Sequence, residues 1–201
     1  VLIEPRDRFV FVPLLYELLS GELKGWEVAP NYASLLQGHG ISHLQDRASS
    51  IDLDTRCVTT TSGRALHYSQ LVLATGAQPA DFGIPGVRDN ALNFHTLSDL
   101  QPLQDRLQEL RRRPSGSSSL VIAGAGATGV ELACKAVDLL NGAATVQLVE
   151  LGDQILPRSK AFNREQAEKA LKKRGVTVHL NTKVDSVTAT SVILSGAQGS
   201  S

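Results

Sequence analysis

The strongest chemical signal in the chain is a run of six residues, Gly124-Ala125-Gly126-Ala127-Thr128-Gly129. A GxGxxG pattern alone is weak, because short glycine patterns arise by chance. Here its surroundings are informative. An apolar, strand-like run, Leu120-Val121-Ile122-Ala123, leads in, and a helix-compatible run, Val130-Glu131-Leu132-Ala133-Cys134-Lys135, leads out. In that setting the first glycine permits a tight turn and the second lets the backbone approach a diphosphate. The third lets the helix pack close to the strand. The helix N-terminus then offers N–H groups and a positive dipole end to an anion. Glu150 closes the following strand, roughly 20 residues beyond the turn, where a carboxylate accepts hydrogen bonds from ribose hydroxyls. The same carboxylate would repel a 2′-phosphate, which favours NADH over NADPH. The plainer alternative is a glycine-rich turn with an unrelated surface glutamate. Strand, turn, helix and acid in register favour the dinucleotide.

Three further positions could do chemistry. Glu131 stands in the first turn of the helix after the glycines, where an acid commonly just complements the dipole. Its other reading is a carboxylate near a redox centre. The run Leu71-Val72-Leu73-Ala74 reads as a buried strand delivering Thr75-Gly76 at a sharp turn, either a second cofactor element or a plain strand end. Glu4 follows the apolar Val1-Leu2-Ile3 as Glu150 follows its own strand, so it could hold a second ribose, although a terminal glutamate is more often solvated.

The elements that must position these groups are legible as alternating patterns. Residues 14–19 and 32–37 read as short helices, stopped by Gly21 and by Gly38 with Gly40. Residues 42–46 and 48–51 suggest extended chain. Residues 56–61 and 64–68 flank Ser62-Gly63 as a hairpin. Leu97, Leu100, Leu103, Leu107 and Leu110 recur at threes and fours, the stripe of an amphipathic helix. Thr96 with Asp99 would cap it, and Pro114 would end it. A polar joint, Ser115-Gly116-Ser117-Ser118-Ser119, suggests a domain boundary, giving domains 1–114 and 115–201. Beyond it the order is strand (120–123), helix (129–140), strand (145–150), helix (163–174), strand (176–180), then a hairpin through Val187 and residues 192–194. Strands alternating with helices imply a parallel sheet covered on both faces, an α/β fold.

Composition excludes several classes. Hydrophobic residues at 42% and charged residues at 20% are ordinary for a globular protein. Twenty basic and twenty acidic residues give a net charge of +0, and no basic, aromatic-laced stripe offers a nucleic-acid footprint. The run Arg111-Arg112-Arg113 closes a helix, where it complements the negative dipole end. Cys57 and Cys134 form no CxxC or CxxxxC pair, which argues against a redox-active disulfide and against zinc. No run approaches the roughly 18 apolar residues of a membrane span. No signal segment opens the chain. With no methionine, a first strand that starts abruptly, and a small polar tail from Gly196, we expect a stretch of a longer protein.

With these pieces placed, the chain resembles the type II NAD(P)H dehydrogenases, single-subunit NAD(P)H:quinone oxidoreductases, in particular their plant-plastid and cyanobacterial branch. The likeness is carried by Arg8-Phe9-Val10-Phe11-Val12-Pro13-Leu14-Leu15-Tyr16-Glu17-Leu18-Leu19-Ser20-Gly21, by the ATG-type flavin motif at Leu71 to Gly76, and by Phe82-Gly83-Ile84-Pro85-Gly86-Val87. Gly124 to Glu131, Leu148-Val149-Glu150 and Ile155-Leu156-Pro157 carry it through the nucleotide half. The resemblance implies two Rossmann-like dinucleotide-binding domains of the FAD/NAD(P) oxidoreductase type, both incomplete in this chain. It implies FAD and NAD(P)H as cofactors and a quinone as electron acceptor. It implies a peripheral place on a plastid or thylakoid membrane, or on the cytoplasmic face of a bacterial one, reached through regions outside this chain, and it admits a homodimer. It places Glu131 near flavin and nicotinamide, and Glu4, Ala48, Thr75 and Gly76 on FAD, Ala48 through its backbone on the adenine side. The flavin domain's own GxGxxG would precede Val1. The later Gly-Asp motif, the quinone segment and an amphipathic anchor would follow Ser201, so the 201 residues alone are not expected to turn over. Competing readings are a ferredoxin-reductase-like or sulfide:quinone enzyme, and an inactive NADH-binding module. Sulfide chemistry needs a set of cysteines that Cys57 and Cys134 do not supply.

The placement of Glu150 makes a direct prediction. In the full-length protein, Glu150→Arg should weaken NADH binding and strengthen NADPH binding. Titrations with both nucleotides check it, and unchanged selectivity would count against that placement.

Overall fold

The structure, a computed structural model, describes residues 1–114 and 116–196. Ser115, inside the expected joint, and residues 197–201 lie outside the described residues. By internal contact the chain forms two compact units, Val1–Gln78 and Pro79–Ser201.

In the first unit, β1 (Leu2–Ile3) pairs in parallel with β2 (His43–Leu44). Three short helices lie between them: α1 (Leu15–Ser20), α2 (Gly25–Val28) and α3 (Tyr32–Leu35). Leu15, Tyr16 and Leu19 of α1 are buried together with Val28 and Tyr32, which fixes the helices to one small core. Helix α2 was not expected from the sequence. It is a single turn, started where Glu27 Oε2 accepts the Lys24 N–H at 2.7 Å, and such a local cap leaves no periodicity to read. An antiparallel sheet follows, β3 (Ala48–Asp52), β4 (Cys57–Thr60) and β5 (Ala65–His67), with the expected hairpin between β4 and β5.

One expectation fails here. Residues 71–74 are not a buried strand: residues 71–80 carry no regular structure and are exposed, Val72 at 85%. The run is apolar enough for a strand, but a strand exists only where its N–H and C=O groups find a ladder. Among the described residues of this unit, the parallel sheet is two residues deep in each of two strands and pairs with no other.

The second unit begins with a loop and α4 (Val87–Asn90), then α5 (Leu97–Arg112). The stripe of α5 is realised: Leu100, Leu103, Leu107 and Leu110 are all buried. Each such burial stabilises by about 1.5–3 kcal/mol. Asp99 Oδ2 accepts the N–H of Thr96 at 2.7 Å and of His95 at 2.9 Å, so the acid of the expected cap satisfies two donors. Helix α5 packs on α6 (Ala127–Leu140).

The nucleotide-like half is a parallel sheet in the order β6 (Ser119–Ala123), β7 (Thr145–Val149), β8 (Thr177–His179). Helix α6 joins the first two strands and α7 (Ala161–Lys173) the last two. Central strand β7 is buried on both sides. Leu148 is fully buried towards α6, and Val149, on the opposite face by alternation, is buried too. A hairpin, β9 (Thr182–Val187) with β10 (Val192–Gly196), follows and touches β7. Helices α6 and α7 start two residues earlier than their sequence patterns suggested. For α6 this places Gly129 inside the first turn rather than at its start.

Candidate functional site

The glycine turn lies where β6 runs out. The β6–β7 ladder ends with Gly124 N–H donating to Val149 C=O at 2.7 Å, and the chain then turns sharply, with Gly124 at φ +95°. That conformation strongly favours glycine. Gly129 answers a different demand. A Cβ built on it would lie 1.8 Å from the Gly124 carbonyl oxygen, so no side chain fits between helix and turn. Gly126 is exposed, and nothing of the protein lies within 4 Å of where its Cβ would be. The backbone there is open to a ligand. The first amides of α6 have no carbonyl one turn behind them within the helix, which gives the turn its anion-binding character.

Glu150 stands at the mouth of this turn. Its Oε2 accepts the N–H of Ala125 at 2.7 Å and its Oε1 accepts the N–H of Gly152 at 2.8 Å. Each oxygen keeps a further lone pair for a sugar hydroxyl. Its own backbone is fixed as well. The Glu150 N–H donates to His179 C=O at 2.8 Å, and the Glu150 carbonyl accepts the Thr182 N–H at 2.9 Å. The carbonyl of Ala125 accepts from Leu156 N–H at 2.8 Å, so the loop after β7 folds back onto the turn. The sequence did not point to Ala125, Gly152 or Leu156 as partners of the turn. Hydrogen bonds between segments so far apart in sequence leave no local pattern. The nearest signal was Ile155-Leu156-Pro157, read only as a family likeness.

Glu131 lies on the exposed side of α6, one residue after buried Val130; because α6 already starts at Ala127, it lies beyond the first turn in which the sequence reading placed it. In the first unit, Glu4 follows β1, and Arg6 grips its carboxylate with a two-point fork, Nε to Oε1 at 2.8 Å and Nη2 to Oε2 at 3.0 Å. That fork holds the carboxyl below its usual range, while partial burial opposes it. Oε1 also accepts the Arg6 backbone N–H at 3.0 Å, so a spare lone pair remains on Oε2 alone, and Glu4 is oriented without being exhausted as an acceptor. Ala48 opens β3 and is exposed, and Thr75 and Gly76 lie in the exposed segment described above. Cys57 and Cys134 are free thiols in different units, and burial pushes the Cys134 thiol up. No cluster of His, Cys, Asp and Glu suited to a metal occurs among the described residues.

The residues at the turn therefore fit a dinucleotide: an open backbone cradle, a helix N-terminus behind it, and an oriented carboxylate beside it. The family model described as pyridine nucleotide-disulphide oxidoreductase matches residues 1–200. The chain belongs to that family. It is 37% identical over 198 residues to a protein named demethylphylloquinone reductase from Synechocystis, covering 96% of this chain and 49% of that one. It is 36% identical over 203 residues to alternative NAD(P)H-ubiquinone oxidoreductase C1 of Arabidopsis thaliana, covering 93% of this chain and 39% of that one. These two relatives, one cyanobacterial and one plant, match the branch whose likeness the sequence motifs carry. Among solved structures, the NDH2 of Plasmodium falciparum in complex with NADH superposes with a TM-score of 0.82 at 21% identity, over 97% of this chain and 45% of that one. The sulfide:quinone oxidoreductase of Aquifex aeolicus superposes with a TM-score of 0.83 at 24% identity, over 98% and 48%. Both superpositions show the FAD/NAD(P) oxidoreductase fold. The chain spans half or less of the length of these relatives.

The close approach at Gly129 is testable. Gly129→Ala should destabilise the protein by about 1–3 kcal/mol, the range for an overpacked site. It should also weaken nucleotide binding, because the Cβ can be admitted only by moving Gly124. Denaturant unfolding together with NADH titration checks both; an unchanged midpoint would mean that helix and turn are not in the contact described.

Proposed function

We propose that the protein acts as a flavin-dependent NAD(P)H:quinone oxidoreductase, with NADH the favoured donor. The observation that carries this reading is the Glu150 carboxylate fixed on the Ala125 N–H beside the open backbone at Gly126. The names of the two relatives, a quinone-type reductase and an NAD(P)H-ubiquinone oxidoreductase, support the choice of acceptor.

When bound, NAD(P)H supplies a hydride and FAD takes it up and passes electrons on to a quinone. In this reading Gly124, Gly126 and Gly129 shape the turn whose amides hold a diphosphate, and Glu150 accepts from the adenosine sugar. Glu131 positions the nicotinamide or handles protons on the quinone side. Glu4, Ala48, Thr75 and Gly76 hold FAD, Glu4 through its Arg6-oriented carboxylate and Ala48 through its backbone. The flavin side then corresponds to residues 1–114 and the nicotinamide side to 115–201. Among the described residues no helix is long and apolar enough to cross a membrane. We place the protein at the surface of a plastid, thylakoid or bacterial membrane, and include a homodimer in the proposal.

Sulfide:quinone chemistry is the second reading, favoured by the superposition on the Aquifex enzyme. Two thiols held in separate units, one of them pushed up by burial, fit it poorly.

The test uses the full-length protein. It should carry a flavin absorbing near about 450 nm, bleach on NADH and recover on adding a quinone. Glu131→Gln should keep the flavin and the NADH affinity but slow quinone reduction by about 10²-fold, the usual worth of a proton-handling group. NADH binding without any flavin would leave only a nucleotide-binding module. A bleached flavin that no quinone reoxidises would contradict the acceptor.

A further inference from the structure

Arg164 lies in the first turn of α7 and makes contacts that the nucleotide reading does not use. Its side chain is half-buried. Its Nε donates to the Ile155 carbonyl at 3.1 Å and its Nη2 to the Ser159 carbonyl at 3.4 Å. The loop between those two carbonyls is tightly wound. Ile155 is buried, Leu156 sits at φ +47°, and Ser159 N–H donates to Leu156 C=O at 2.9 Å. A left-handed conformation at a leucine is unfavourable and persists only where its surroundings impose it. In this conformation the Leu156 N–H donates to the Ala125 carbonyl inside the glycine turn.

We infer that Arg164 is a positioning residue for the dinucleotide turn, acting through the 155–159 loop rather than on the ligand. The guanidinium bridges two carbonyls four residues apart, which a planar fork does well and a single ammonium does not. It thereby keeps Leu156 strained and its N–H aimed at Ala125. Ala125 is then held from both sides, its N–H by Glu150 and its carbonyl by Leu156. Without Arg164 the loop relaxes, the Ala125 carbonyl loses its donor, and the turn has a wider choice of conformations before nucleotide binds. The expected result is a loss of pre-organisation, seen in binding and not in the chemical step.

The inference rests on the nucleotide reading, and the experiment separates the two. In the full-length flavoprotein, Arg164→Met keeps the aliphatic stem and removes the fork. It should raise the NADH Kd and KM by about 3- to 30-fold, the effect of losing one supporting contact. Flavin content and kcat at saturating NADH should be unchanged. Arg164→Lys should recover part of the affinity. Hydrogen exchange adds a readout independent of turnover: in the wild type, saturating NADH should slow exchange at Leu156 together with the 124–128 amides. In Arg164→Met, Leu156 should exchange faster before nucleotide is added. If the methionine variant does not fold, the lysine variant and the wild-type exchange data decide. An unchanged Kd in folded Arg164→Met, or NADH protection at 124–128 with none at Leu156, would overturn the positioning role. A wild type that binds no NADH would instead overturn the nucleotide reading itself.

Discussion

The two backbone polar atoms of Ala125 are the constraint around which the nucleotide half is arranged. Ala125 is fully buried, so its N–H and C=O need partners within the protein. The N–H is taken by Glu150 from the end of β7 and the C=O by Leu156 from the loop beyond it. The end of β7 and the loop beyond it are thereby both locked to the turn at one residue. The geometry required of a diphosphate cradle follows from that lock. Gly124 must turn at positive φ to bring Ala125 inward, and Gly129 must lack a side chain for α6 to close on the turn. Gly126 is then left open on the outside.

This arrangement gives Glu150 two tasks. It stabilises the turn through charge-assisted hydrogen bonds to backbone amides, and in the proposed function its remaining lone pairs accept from a sugar. If Glu150 holds the sugar as proposed, nucleotide preference and turn integrity share one carboxylate. A substitution chosen to change selectivity also removes a partner from Ala125, so loss of affinity for one nucleotide and gain for the other need not be equal in size.

Much of this was legible from residue order. The strand–turn–helix around Gly124 to Gly129, the leucine stripe of α5 and the β4–β5 hairpin are all local patterns, and each formed, α6 starting two residues earlier than its pattern suggested. What the sequence could not show was non-local. The back-folding of Leu156 and the bridge made by Arg164 depend on contacts with no periodic signature. Residues 71–74 illustrate the opposite error. Their composition suits a strand, but strand formation is decided by neighbours, and none pairs with them among the described residues. The one-turn helix α2 was invisible because a single capped turn carries no repeat.

The most direct measurement is a crystal structure of the full-length protein with NADH bound. The account predicts diphosphate oxygens within about 2.7–3.2 Å of the first-turn amides of α6, with a ribose hydroxyl donating to Glu150 while that carboxylate still holds the Ala125 N–H. Nucleotide density away from the glycine turn, or a Glu150 side chain swung clear of Ala125 with the sugar unattended, would contradict it.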